Sequence, residues 1–208
     1  VYRNPVKKAQ TKFSLAHDNA NYDWKKIDVG LEKALKCDCT ITKIDSHCIL
    51  VTTAKEAAVI AWLKAHHPGV RVVGTGHTIE IFKETGLPVE VYERFSLDEA
   101  QGTHIIGHTR MATESAVTTA GSHPFATTSR SSLYHYGMHN GSRSNHNRRR
   151  ESLRKEGMDF QTENDTEVAA AYMTSKLRGG ATLKEALEDG LRDLDGFYTF
   201  LVGTADGF

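Results

Sequence analysis

Four positions in the second half of the chain carry the chemistry to act on one small substrate. Arg110 offers a planar guanidinium fork suited to a carboxylate, and Asp165 a carboxylate suited to an ammonium. Asn140-Gly141 offers a side-chain amide and a backbone N–H able to converge on an oxyanion. Each has an ordinary reading when taken singly: a surface ion pair for Arg110, a helix N-cap for Asp165, a hairpin turn for Asn140-Gly141. A carboxylate clamp, an ammonium clamp and an oxyanion hole together describe an amino acid undergoing acyl transfer at its side chain.

These residues need elements to position them. From about residue 102 the sequence GTHIIGHTRMATESAVTTAGSHPF is rich in Gly, Thr, Ser and His, and it reads as a short strand, HIIGH (104–108), feeding a long polar loop of the kind on which sites are built. Beyond it, Asn164-Asp165-Thr166-Glu167 precedes a helix from Val168 to Arg178 that is stopped by Gly179-Gly180. Thr182-x-x-Glu185 is a capping box, opening a helix whose face is Leu183, Leu187, Leu191 and Leu194, and FYTFLVG (197–203) is a strand. The arginines between the His139-Asn140-Gly141 turn and these helices, Arg143, Arg148, Arg149 and Arg150, start a helix whose charge is balanced within a dozen residues.

The first zone looks structural. Trp24, Ile27, Leu31, Ala34 and Leu35 recur at helical spacing, and TITKI (40–44) and CILVTT (48–53) read as strands joined by a tight Asp45-Ser46-His47 turn. Thr53-x-x-Glu56 has the pattern of a capping box for a helix ending at Pro68-Gly69, with His66 and His67 at its C-terminus where positive charge is favoured. VRVVG (70–74) and TIEIF (78–82) follow as a strand pair around Gly74-Thr75-Gly76. The order α-β-β-α-β-β predicts a small α+β layer.

Bulk properties set limits. With 208 residues, 26 basic and 26 acidic side chains, the chain is long enough for a real core and has no net field to gather a polyanion. Cys37, Cys39 and Cys48 lack a four-ligand metal spacing, so reduced thiols in a cytoplasmic compartment are expected. No apolar run approaches the roughly 18 residues that span a bilayer.

GHTRMAT (107–113), SHPF (122–125), HNG (139–141) and NDTEV (164–168) occur in the order and approximate spacing of class II glutamine amidotransferases, the N-terminal-nucleophile type. The fuller wording around HNGSRSNHN, RRRE and EGMDFQTENDTEVAA resembles glutamate-synthase-like amidotransferase subunits, including those of N-methylglutamate synthase. The resemblance covers about residues 70–208 well and 1–69 loosely. It implies an α+β fold, a four-layer αββα sandwich with a small α+β segment inserted between about 23 and 83, and one amidotransferase domain over 1–208. It further implies that Arg110 holds the glutamine α-carboxylate and Asp165 its α-ammonium, that Asn140 and Gly141 form the oxyanion hole, and that Thr113 and His123 shape the pocket. A cysteine thiolate would attack the amide to give a γ-glutamyl thioester, with the cysteine's own α-amine as base. Ammonia would pass to synthase subunits carrying flavin and iron–sulfur centres; no cofactor or metal site is expected in this chain itself.

The nucleophile of that mechanism is the first residue of the mature protein, whereas this sequence begins Val1-Tyr2-Arg3-Asn4 and its three cysteines are internal. The expectation is a fragment cut at both ends and inactive as it stands, with a nucleophile-free glutamine-binding subunit as the alternative. Two competitors carry less. Residues 143–155 form a basic segment for nucleic acid, but acids follow at once and no stacking aromatics are interleaved. Eleven histidines allow a metallohydrolase, but no HExxH spacing occurs.

Overall fold

The structure is a computed structural model describing residues 1–3, 5–109, 117–126, 134–142, 145–204 and 206–207. It divides into two compact units, Val1–Phe82 with Gly86–Ile105, and Lys83–Thr85 with Ile106–Phe208.

The first unit runs β1 (Thr11–Ala16), α1 (Lys25–Leu35), β2 (Cys39–Ile44), β3 (His47–Thr52), α2 (Glu56–His66), β4 (Arg71–Gly76) and α3 (Pro88–Arg94). The strands pair antiparallel in the order β2-β3-β1-β4, the split βαβ arrangement of a βαββαβ module. Alternation sorts its faces. Phe13 and Leu15 of β1 and Cys48 and Leu50 of β3 turn toward Ile27 and Leu31 of α1 and Val59 and Leu63 of α2. Each is essentially fully buried, and a buried leucine contributes about 1.5–3 kcal/mol over an exposed one.

The opposite face of β1 explains why that central strand is absent from the sequence reading. It presents Lys12 and Ser14, which look like loop residues, yet both are buried. Lys12 Nζ pairs with Glu80 Oε1 at 2.9 Å, and Ser14 Oγ accepts from the Ile81 N–H at 2.9 Å. The expected strand TIEIF is that partner segment: Ile79, Glu80 and Ile81 are all buried, and its strand pairing among the described residues is a single bridge, Tyr2 to Ile79. Gly74-Thr75-Gly76, expected as a turn, continues β4 against β1. Thr53 does not cap α2 either; Lys55 takes that position, and Glu56 accepts from Thr75 Oγ1 at 3.0 Å. The compact unit that holds these elements spans Val1–Phe82 and Gly86–Ile105.

The second unit holds β5 (Phe125–Ala126), β6 (Tyr134–Ser142), α4 (His146–Lys155), α5 (Asp165–Arg178), α6 (Leu183–Asp193) and β7 (Phe197–Thr204), with an antiparallel sheet β5-β6-β7. Leu153, Val168, Tyr172, Met173, Ala186 and Leu194 form its core. The Thr182–Glu185 capping box is present, but the buried stripe of α6 is Ala186 and Gly190, and Leu191 is 75% exposed. HIIGH is not a strand: among the described residues its strand pairing is a single bridge from His104 to Tyr2, and Ile105 is 54% exposed. Antiparallel sheets with helices in both units give the expected α+β class. Among the described residues no helix is long and apolar enough to cross a membrane.

Candidate functional site

Among the described residues of the second unit, several side chains converge on the N-terminus of α5. Asn164 sits at the N-cap in extended conformation, and its Oδ1 accepts from the Thr166 N–H at 2.9 Å. Its Nδ2 donates to the Gly121 carbonyl at 3.0 Å, tying the helix start to the loop before β5. A second tie follows at once, with His123 Nε2 2.8 Å from Thr166 Oγ1. His123 is buried, its ring 4.5 Å from that of His108 and 5.5 Å from Phe125, and the His123-Pro124 peptide is cis. From below, Lys83 Nζ donates to the Ala120 carbonyl at 3.0 Å and lies 4.3 Å over the Phe125 ring, while Thr119 Oγ1 donates to Glu84 Oε1 at 2.8 Å.

The turn before α5 is fixed as firmly. Glu167 reaches back to accept from the N–H groups of Gln161 and Thr162, both at 2.8 Å, and Arg150, 3% exposed, donates to the carbonyls of Thr162 and, at 3.2 Å, Asn164. Arg149 donates to the Asp193 carbonyl at the C-terminal end of α6, at 2.9 Å through Nη2, where a cation is favoured. The hydrogen bond from the Tyr172 hydroxyl, 2.8 Å long, holds the Asp193 carboxyl below the usual carboxylate range. Arg150 is therefore an internal strut and Arg149 a half-buried one, rather than the solvated helix face their charge suggests.

Of the residues singled out in the sequence, Asp165 is the first residue of α5, half-buried, where the helix N-terminus favours a carboxylate. The N-cap itself is Asn164. His123 joins Asp165 through the bond to the adjacent Thr166. Asn140 and Gly141 lie in β6, opposite Thr199 and Tyr198 of β7. They are not a hairpin turn, because β7 pairs along the whole of β6. Pairing with β5 stops at Gly137, so N–H groups of 138–142 that point away from β7 face no strand among the described residues. Helix α5 packs on both β5 and β6. Arg110 and Thr113 lie outside the described residues. Among the described residues no three His, Cys, Asp or Glu side chains cluster as a metal site. Sequence reasoning missed Asn164, Thr166 and Arg150 as organisers; the Asn before Asp165 was the readable signal, whereas nothing set Arg150 apart from its neighbours.

Comparison with known proteins adds the decisive observation: residues 108–207 match the glutamine amidotransferase domain family. This part of the chain is a glutamine amidotransferase domain. The chain is 53% identical over 160 residues to the glutamine amidotransferase-like protein GlxB of Rhizobium meliloti, covering 77% of this chain and 52% of that protein. It is 38% identical over 138 residues to a putative glutamine amidotransferase of Methanothermobacter thermautotrophicus, covering 66% and 45%. Among solved structures, the glutamine phosphoribosylpyrophosphate amidotransferase of B. subtilis superposes at a TM-score of 0.48 with 33% identity, over 58% of this chain and 25% of that one. The chain spans about half the length of the curated relatives it matches.

Proposed function

We propose that the domain is the glutaminase part of a class II amidotransferase, hydrolysing L-glutamine to glutamate and ammonia. The observation that supports this most is the double tie between the 121–125 loop and the N-terminus of α5, which holds Asp165 at a helix end inside the matched segment. In this reading Asp165 receives the glutamine α-ammonium, Arg110 its α-carboxylate, and Thr113 and His123 shape the pocket. Asn140 and Gly141 donate to the oxyanion that forms when a cysteine thiolate attacks the side-chain amide carbon. The C–N bond then breaks, ammonia leaves with a proton from the cysteine's α-ammonium, and water converts the thioester to glutamate. An α-amine titrating near pH 8 suits that base. Cys37, Cys39 and Cys48 do not fill the nucleophile's role: each is internal, and burial pushes the thiols of Cys39 and Cys48 up to about 12. Ammonia then passes to a glutamate-synthase-like or N-methylglutamate-synthase-like partner carrying flavin and iron–sulfur centres, in the cytoplasm.

The test is glutamate release from L-glutamine by the full-length protein. Asn140→Ala is expected to lower kcat about 100- to 1000-fold. Arg110→Ala and Asp165→Ala should raise KM roughly tenfold or more, the size of a lost hydrogen bond to a charged group. Unchanged turnover in the Asp165 and Asn140 variants would refute the site, and glutamine binding without turnover in the unmutated protein would favour a nucleophile-free subunit.

A further inference from the structure

Two of the three cysteines form a pair outside the candidate site. Cys37 follows the left-handed residue Lys36 that ends α1, and Cys39 is the first residue of the edge strand β2. In extended chain, residues two apart point to the same side. The Sγ atoms lie 3.6 Å apart, at the rim of the first unit's core, with exposed Asp38 between them. Each thiol is held by a neighbour: Cys37 Sγ donates to the Leu31 carbonyl at 3.7 Å, and Cys39 Sγ to Thr52 Oγ1 at 3.3 Å. Both side chains are only half-buried, whereas Cys48 is fully enclosed.

We infer that Cys37 and Cys39 form a redox-active dithiol that closes to an intrachain disulfide by exchange with a low-molecular-weight disulfide such as oxidised glutathione. A disulfide needs sulfurs about 2.05 Å apart, so closure asks for about 1.5 Å of approach by two side chains at a solvent-facing rim. Cys37, in the turn that leaves α1 rather than in the sheet, makes the first attack, while burial pushes the Cys39 thiol up to about 12. Its thiolate forms a mixed disulfide and expels one glutathione thiolate. Cys39 then gives up its proton and attacks Cys37 Sγ, expelling the second. Two electrons move from the cysteine pair to the glutathione disulfide, and the two thiol protons end on the two glutathiones released. A bridge spanning one intervening residue closes a small ring and carries strain, which makes it easily reduced and therefore reversible. Closure fastens the end of α1 to the start of β2.

The experiment uses the intact chain, incubated with oxidised glutathione, blocked with iodoacetamide and digested with trypsin. The peptide from Cys37 to Lys43 holds both cysteines. It is expected to lose two hydrogens, carry no alkyl group and no glutathione, and become dialkylated once it is reduced with dithiothreitol and treated with fresh iodoacetamide. Cys48→Ser should close as the unmutated chain does; Cys37→Ser and Cys39→Ser should not close. A peptide retaining glutathione, a dialkylated peptide, or a bridge involving Cys48 overturns the inference.

Discussion

Arg150 shows how much one side chain can hold. Its guanidinium is almost fully enclosed, lies 5.2 Å from the Phe160 ring and donates to two carbonyls in the turn that carries Asn164 and Asp165. Its ion pair with Glu163 adds little, because Glu163 is 80% exposed. Removing the arginine strands the buried Asn164 carbonyl and the partly buried one of Thr162, so Arg150→Ala is expected to cost about 2–4 kcal/mol in denaturant unfolding. Arg150→Lys should recover only part of that, since an ammonium lacks the fork. His67 gives a pH-dependent counterpart. Its Nδ1 lies 2.6 Å from the Tyr22 hydroxyl, and burial first, then His66 and Lys26, lowers its pKa below the ordinary imidazole value. The folded state thus prefers the neutral ring. The stability this contributes is full above about pH 6.5 and is lost as pH falls through the lower folded value, because the unfolded imidazole takes up its proton first. The melting temperature of His67→Gln should fall less steeply than that of the parent between about pH 7 and pH 5.

Elements whose periodicity met a matching environment were legible: α1, β2, β3, α5, α6 and β7 all lie within a few residues of where their patterns place them. Elements decided by a distant partner were not. Lys12 and Glu80 each look solvent-bound in sequence and are buried only because they meet, so the sequence hides β1 while TIEIF carries the alternation of a strand. Of the site, the motifs around His123, Asn140-Gly141 and Asp165 were visible, and the struts behind them were not, because a run of arginines does not say which one turns inward. The stretch at 102–104 makes a further test at this scale. Tyr2 exchanges hydrogen bonds with Thr103 and His104, at 2.8 and 3.0 Å, and a Cβ at Gly102 would lie 2.2 Å from the Tyr2 carbonyl oxygen. Backbone cannot yield as a side-chain tip can, so Gly102→Ala is expected to destabilise the first unit by about 1–3 kcal/mol, measured by urea unfolding.

At the scale of the molecule, charge argues against a polyanion partner. Formal net charge is zero, and two of the arginines in the basic segment, Arg149 and Arg150, are committed to backbone carbonyls. An immobilised oligonucleotide should therefore not retain the chain at low salt; retention that weakens steeply as salt rises would instead revive the nucleic-acid reading.

Both tryptophans of the chain, Trp24 and Trp62, belong to the first unit, one enclosed in its core and the other stacked 4.9 Å from His66. Indole fluorescence therefore reports on the βαββαβ module alone. Followed beside circular dichroism, which sees the backbone of both units, it gives an unlabelled optical means of telling which half of the chain a substitution, an oxidant or a change of pH has loosened.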